Sequence, residues 1–186
     1  LISDNETQRI YNNLYGAVER DKSTRGEWEK TYVDGLKFIG MQFDIERSEP
    51  FVGATGVIHP LLGEAVTQFQ AQAYKELLPA DGPVRTMVMG VSNPMKEQQS
   101  QRVKNFMNYQ LMDQMKEYEP EFDQMLFYLP LSGSTFKKVY YDDLLGRAVS
   151  KFVPADDLVV PYTATSLDDA EAVVHVLKIS ENDLRK

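Results

Sequence analysis

Three pairs of adjacent aspartates are the residues in this sequence best suited to chemistry. They are Asp142-Asp143, Asp156-Asp157 and Asp168-Asp169. Paired carboxylates bind hard cations such as Mg²⁺ and Ca²⁺, and they also serve as general acid and base in hydrolysis. Adjacent side chains on an extended chain point in opposite directions, however, and aspartate is favoured at turns because it hydrogen-bonds nearby backbone. We predict turns at all three pairs, and a metal-dependent enzyme built on them is the alternative.

The two histidines show no spacing typical of a metal site. His59 directly precedes Pro60 at a predicted helix start, and His175 lies within an apolar segment that predicts a strand. Neither has a Cys, His or Glu at ligand spacing. We therefore predict a capping or packing role for each histidine and assign no metal ligand.

Two glycine-containing segments lack the features of a nucleotide site. Gly133–Lys138 has its Gly, Ser, Thr and Lys in the wrong order for a phosphate-binding loop. Gly53–Gly56 is too short for a dinucleotide fingerprint and follows no clear strand. The first segment predicts a loop that enters a strand, and the second predicts a flexible or tightly turning loop. We assign no catalytic residue and no cofactor, and we expect neither nucleotide hydrolysis nor nuclease activity.

Composition narrows the function classes further. The 186 residues, 42% of them hydrophobic, can bury a sizeable core in one domain or lobe. A formal net charge of −8 opposes non-specific binding to DNA or to an anionic membrane. The absence of cysteine excludes a disulfide framework, a zinc finger and a thiol nucleophile. No apolar run reaches the roughly 18 residues of a membrane span, and residues 1–4 lack signal-peptide features, so we expect a reducing cytoplasm.

The first part of the chain, residues 1–134, is predicted to be mainly helical. Ser3 and Glu6 have capping-box spacing at the start of one helix, and a second helix ends near residue 39 after a polar break at 21–26. A third helix follows Pro60, a fourth begins at Asn93-Pro94, and a fifth runs from Pro120 to Pro130. A short strand is predicted at 84–89.

The spacing of apolar residues predicts the buried faces of the last three of these helices. They are Leu62, Val66, Phe69, Ala73 and Leu77 on the third; Val103, Phe106, Met107, Leu111 and Met115 on the fourth; and Phe122, Leu126 and Leu129 on the fifth.

The second part, residues 135–179, changes to a two-residue period. Thr135–Tyr141 and Arg147–Val153 alternate on either side of a turn, which predicts a β-hairpin. Residues 158–160 and 172–179 predict two further strands. Because helices come first and strands later, we predict an α+β fold with an antiparallel sheet. Residues 180–186 read as the start of a truncated helix, and we expect the segment to belong to a longer protein.

Polar but uncharged helix surfaces are the remaining unusual feature. Such surfaces can pack against a neighbouring subunit without the desolvation cost of charge, although an ordinary solvated face has the same composition. This leaves a protein-binding module as a further alternative. The glutamines concerned are Gln68, Gln70, Gln72, Gln98, Gln99, Gln101, Gln110, Gln114 and Gln124. Trp28 is predicted to be core, and Met107, Met112, Met115 and Met125 are predicted to be core or interface residues.

Several segments, in their order and spacing, resemble the portal protein of tailed bacteriophages, in the form common among podovirus-like and marine phages. The segments are Glu49–Pro60, Phe69–Ala73 with Leu77–Pro83, Asp123–Val139, and Phe152–Pro161. Together they extend over most of the chain.

The resemblance implies a subunit of a dodecameric ring, located in the virion at one capsid vertex and assembled in the host cytoplasm. Double-stranded DNA would pass through this ring during packaging and ejection without sequence recognition. The implied partners are other portal subunits, capsid protein, terminase, and tail or adaptor proteins. This chain would correspond to the N-terminal wing, and no DNA-contacting residue is identified.

Overall fold

The computed structural model describes residues 3–40, 51–53 and 59–184, and their fold is α+β. The helices are α1 (Asp4–Thr24), α2 (Gly26–Ile39), α3 (Leu61–Leu77), α4 (Pro94–Tyr109), a π-helical turn (Gln110–Gln114), α5 (Tyr118–Ser132) and the short α6 (Glu181–Leu184). The strands are β1 (Phe136–Asp142), β2 (Arg147–Val153), β3 (Leu158–Val159) and β4 (Val174–His175).

The described residues form two compact units, one within residues 1–60 and 154–186 and the other within residues 61–153. The first contains α1, α2, β3 and β4, and the second contains α3 to α5 with the hairpin β1–β2. Within the second unit, β2 packs against α5.

The first unit begins with the predicted capping box. The Glu6 amide donates to Ser3 Oγ at 3.4 Å, and the Ser3 amide donates to Glu6 Oε2 at 3.2 Å. Two donors that a helix start leaves free are thereby satisfied. The polar break predicted over 21–26 is reduced to Arg25, which separates α1 from α2.

Arg25 holds the first unit together through backbone carbonyls distant in sequence. Its guanidinium donates to the carbonyl oxygens of Ala155 at 3.2 Å, Asp156 at 2.8 Å and Leu158 at 2.8 Å. The same side chain pairs with Glu29 at 2.7 Å and is only 8% exposed. An arginine offers five donors in a rigid fork. The single side chain of Arg25 can therefore hold the turn before β3 against the junction of α1 and α2.

The single antiparallel sheet expected from the sequence is instead two separate two-stranded sheets in the described chain. The strand predicted at 172–179 is reduced to β4, which pairs with β3 through Leu158↔His175 and Val159↔Val174. Only two residues of β3 run beside it, so the rest of this segment has no ladder to join. One further backbone bond, from the Val176 amide to the Asp157 carbonyl at 2.8 Å, extends the contact.

In the second unit, the predicted hairpin is confirmed, with a register that runs from Phe136↔Val153 to Asp142↔Arg147. Asp142 Oδ1 accepts from the amides of Leu144 at 2.9 Å and Leu145 at 3.1 Å, which shapes the turn. The turn closes at Gly146, whose φ of 63° is left-handed and favours glycine.

Helix α5 is the centre of the second unit, because both α3 and β2 pack on it. Leu126 on α5 is 2% exposed, and Val66 on α3 and Val149 on β2 are each 1% exposed. Phe152 on β2 also stacks on Tyr128 of α5 with ring centroids 5.6 Å apart. The core therefore lies between these three elements.

Four polar contacts near the start of α5 fix its position. Gln70 Nε2 donates to Asp123 Oδ1 at 2.8 Å, and the Tyr74 hydroxyl donates to Glu119. On the other side, the Phe152 amide donates to Glu121 Oε2 at 2.7 Å, and Arg147 pairs with Glu117 at 2.7 Å. Four acidic residues in one stretch therefore bind α3 and β2.

Several boundaries in the second unit differ from their predictions. Helix α5 begins at Tyr118, so Pro120 lies in its first turn, where a missing amide is not needed. Pro130 does not end the helix, which continues to Ser132 and stops at Gly133 with a left-handed φ of 77°. Residues 84–89 form no strand; they lie irregularly beside α4, where Thr86 Oγ1 donates to the Ser100 carbonyl at 3.1 Å.

The predicted buried faces are correct in part. Val66, Leu126 and Met115 are buried, but Leu62, Phe69 and Leu77 on α3 remain 38%, 40% and 51% exposed. On α4, the residues Val103, Phe106 and Met107 are also exposed. The period of apolar residues marks a face that can be covered, but another element must lie against that face for it to be buried. The described residues provide none for this side of α4.

We expect Leu126→Ala to lower the free energy of unfolding by about 2–5 kcal/mol, because it leaves a cavity in the core of the second unit. Leu144→Ala is the matched control, since Leu144 is 99% exposed at the hairpin turn. We expect it to stay within about 0.5 kcal/mol of the parent. Urea denaturation measures both, and equal effects would contradict the core assignment.

We expect Arg25→Met to destabilise the protein by about 2–4 kcal/mol, because three carbonyls lose a charged donor in a buried place. Arg20→Met, on the exposed side of α1, serves as the control and should change stability little. Hydrogen exchange of the amides from 155 to 159 localises the effect. If exchange there were as slow as in the parent, the carbonyl contacts would not hold this unit.

Candidate functional site

The three aspartate pairs lie at turns or bends, as predicted. Asp142 shapes the hairpin turn, and Asp156 lies exposed in the turn that Arg25 holds by its backbone. Asp169 Oδ2 accepts from Thr165 Oγ1 at 3.0 Å within a local bend. Within the part of the chain that the structure describes, no group of three or more His, Asp or Glu residues is arranged to hold a metal ion.

The described histidines and Gly133 lie beside or within secondary-structure elements. His59 lies exposed two residues before α3 begins, and His175 is half-buried in β4, in agreement with its predicted packing role. Gly133 ends α5, and the two residues that follow lead into β1, so the loop prediction is confirmed there. Gly53–Gly56 extends beyond the described residues.

A half-buried lysine with a buried amine, which the sequence pattern did not indicate, is the most unusual chemical group in the second unit. Lys137 on β1 places its Nζ 3.8 Å from the centre of the Tyr118 ring and 4.7 Å from that of Phe122. The two rings stack on successive turns of α5, with centroids 6.0 Å apart. The Nζ atom is buried and has no hydrogen-bond partner among the described residues.

The surroundings of Lys137 shift the pKa of its amine in opposite directions. Burial lowers the pKa of Lys137 to about 8, whereas the carboxylate of Glu121 raises it. The ring faces also favour the ammonium form through their quadrupoles. Burial in turn raises the pKa of Tyr118. A neutral amine is a nucleophile, but this nitrogen is closed to solvent, so its contacts hold β1 against α5 rather than present a reactive group.

Only a weak signal in the sequence could have indicated this cluster. The four-residue spacing of Tyr118 and Phe122 places both rings on one face of α5. Alternation along β1 separates Lys137 from Lys138, but it does not indicate which of the two faces the helix. Which of the two lysines faces α5 depends on how the hairpin packs against this helix.

Two long helices present apolar side chains to solvent. Helix α4 buries none of its residues, and its Met95, Val103 and Phe106 are 67%, 49% and 58% exposed. Helix α1 also buries none, and Ile10 and Leu14 are among its exposed apolar residues. Exposed apolar faces of this length are typical of surfaces that bind another protein.

The glutamines and methionines follow the same distribution. Gln70 and Gln110 are half-buried, and the other glutamines singled out above are exposed on α3, α4, the π-helical turn and α5. Met115 is buried and Met125 is half-buried, whereas Met107 and Met112 remain 43% and 36% exposed. Trp28 is half-buried and stacks on the buried Tyr32 at 5.5 Å, in agreement with its predicted place in the core.

An open cleft of about 520 Å³ lies in the second unit beside α4. Its lining includes Gly82 and Asn108, whose amide group accepts from the Val84 amide at 2.9 Å and donates to the Asp81 carbonyl at 3.2 Å. Asn108 therefore fixes the wall of the cleft. These contacts use the polar atoms of Asn108 internally, and the charged residues Asp81, Lys104 and Asp113 also line the cleft.

Comparison with known proteins does not assign this chain to a family. Neither a scan against protein-family models nor a search of curated proteins gave a match. None of the described helices is both long enough and apolar enough to span a membrane. The function must therefore be argued from the described geometry.

We expect Lys137 to make stability depend on pH. Its folded pKa of about 8 lies below its ordinary value of 10.5, so the unfolded chain binds more protons between these values. The free energy of unfolding should therefore rise by about 1–2 kcal/mol from pH 8 to pH 10. Above pH 10 the trend reverses, because the hydrogen bond to Glu119 raises the pKa of Tyr74 to about 12.

The variant Lys137→Met should remove the rise between pH 8 and pH 10, and Lys138→Met, at the exposed neighbouring position, should retain it. Urea denaturation at half-unit pH intervals measures the slope. An unchanged slope in Lys137→Met would show that this amine is not desolvated in the folded protein.

Proposed function

We propose that this chain is a structural subunit of a portal-type ring at one capsid vertex of a tailed bacteriophage, through which double-stranded DNA is packaged and ejected. The observation that carries the proposal is the pair of long helices, α1 and α4, that bury no side chain of their own. An amphipathic helix is stable when its apolar face packs against another element, so each needs a partner.

A ring supplies such partners in a specific way. Identical chains close into a ring through heterologous contacts, so each subunit needs two different complementary surfaces. Helices α1 and α4 belong to different units and carry different side chains, which gives the chain two unlike apolar faces.

The segments that resemble phage portal proteins support the same function. Phe69–Ala73 lies in the second half of α3, and Leu77–Pro83 covers its last residue and the loop after it. Asp123–Val139 covers most of α5 and the start of β1. Phe152–Pro161 contains the turn that Arg25 holds. Glu49–Pro60 lies largely outside the described residues. The described residues that resemble portal proteins therefore lie in the packed helices, the hairpin and the turn bound by Arg25. Residues of this kind hold a structural protein together.

The charge of the chain also suits a conduit. A net charge of −8 limits phosphate contacts that would hold the duplex, so DNA can slide. In this proposal the protein is not an enzyme, and capsid protein, terminase and tail or adaptor proteins are its partners. The virion is its location.

A protein-binding module is the second candidate, because the same exposed faces fit a different protein equally well. The metal-dependent enzyme built on the aspartate pairs is favoured by no observation. Calorimetric titration with Mg²⁺, Mn²⁺ and Ca²⁺ separates that enzyme from both other functions. The assembly state of the pure protein then separates the ring from the binding module.

We expect the full-length protein to form a closed ring, of about twelve subunits by its resemblance to portals, and residues 1–186 alone to stay monomeric or to associate weakly. Stable interfaces usually bury on the order of 2,000 Å² or more, so contacts outside this segment should contribute. Native mass spectrometry of both proteins gives the subunit number. A full-length protein that is monomeric at micromolar concentration would contradict the portal function and favour the binding module.

A further inference from the structure

We infer that α4 of one copy docks on α1 of the next copy, so that a basic apolar helix face meets an acidic one. This inference rests on the proposed ring and specifies which two surfaces close it.

The face on α4 is apolar at its centre and basic at its edges. Met95, Val103 and Phe106 recur at spacings that place them on one side of the helix, and each is about half exposed or more. Lys96 and Arg102 lie on either side of this row, and both are exposed. The acidic residue of the helix, Glu97, lies away from the row and accepts a hydrogen bond from Ser92 Oγ at 2.6 Å.

The face on α1 has the same form with the opposite charge. Ile10 and Leu14 form one row, beside which Tyr11 and Tyr15 stack at 5.9 Å; these four residues are 47–62% exposed.

Acidic residues extend the α1 rows at both ends. Glu6 lies one turn before Ile10, Asp4 lies two turns before Tyr11, and Asp21 lies two turns after Leu14. Lys22 lies two turns after Tyr15 in the same row and forms an exposed ion pair with Glu19 at 3.9 Å. The face therefore carries three acidic residues and one basic residue. The basic residues Arg9 and Arg20 are on the opposite side of the helix.

Charge selects the pairing between these faces. Two α4 faces in contact would bring Lys96 and Arg102 of each copy together, and two α1 faces would bring their acidic residues together. Like charges across an interface disfavour association, whereas opposite charges favour it and fix the register. Contact between α4 and α1 is therefore the favoured combination, and it is heterologous, as ring closure requires.

The apolar area of the α1 and α4 faces is too small for a stable interface by itself, so this contact would be one of several in the ring. The seven exposed apolar residues on the two faces each offer on the order of 100 Å² of surface, so the contact would bury roughly 700 Å². This is below the roughly 1,200–2,000 Å² of a stable specific interface. The docking should therefore be weak in residues 1–186 and become strong only in a complete ring.

A charge exchange tests the inference in the full-length protein. One variant carries Lys96→Glu and Arg102→Glu, and the other carries Asp4→Lys and Asp21→Lys; Glu6 is kept because it caps α1. Each variant alone should weaken ring assembly at least tenfold. The two mixed in equal amounts should assemble as the parent does, because every contact in an alternating ring is again complementary. Arg102→Glu alone should act in the same direction, which guards against misfolding caused by loss of the bond from Lys96 to the Val91 carbonyl.

The matched control is Arg9→Glu with Arg20→Glu, which reverses two charges on the other side of α1 and should leave assembly unchanged. A ring that forms in all the variants alike would overturn the docking while leaving the ring itself standing. A parent protein that forms no ring would instead remove the proposed function. Weakening by the α4 changes but not by the α1 changes would overturn α1 as the occupant.

Disulfide trapping gives an independent measurement, since the chain has no cysteine of its own. Chains with Leu14→Cys mixed with chains with Phe106→Cys should form a disulfide between the two kinds of chain, and either kind alone should form few. When both changes are placed in one chain, a bond within monomers would show that the two faces meet inside a single copy. That result would overturn the inference.

Discussion

The guanidinium of Arg25 binds three backbone carbonyls that lie about 130 residues away along the chain. The first unit has few other means of holding its parts together. Its described core consists of little more than Tyr32, Ala155, Leu158 and Val159, and α1 contributes no buried residue to it. Because a buried carbonyl needs a donor, and because arginine can supply several in one plane, this contact fixes where β3 lies and therefore where β4 can pair.

In the second unit, an acidic stretch has the corresponding role. Glu117, Glu119, Glu121 and Asp123 each accept a hydrogen bond or an ion pair from α3 or β2. These contacts surround the apolar contact of Leu126 with its neighbours and set the angle at which the hairpin meets α5. The same packing turns Lys137 inward against Tyr118 and Phe122, so the desolvation of one amine follows from how the hairpin lies.

The two units have small cores, and the long helices α1 and α4 are left partly uncovered. In an isolated chain, these exposed apolar side chains contribute little to stability, because they remain in contact with water. For a subunit of an assembly, the same surface is the source of association free energy. In the proposed ring, the opposite charges at the edges of α1 and α4 would add direction to that association, which apolar burial alone does not provide.

Local structure could be predicted from the sequence, whereas long-range packing could not. The Ser3–Glu6 capping box, the Asn93–Pro94 start of α4 and the β1–β2 hairpin depend on neighbours within a few residues, and all three were predicted correctly. The role of Arg25, the inward position of Lys137 and the exposure of Phe106 depend on which distant element lies alongside. Periodicity identifies a face that can be buried; only the tertiary structure decides whether anything covers it, because burial is a property of two surfaces and the sequence pattern describes one.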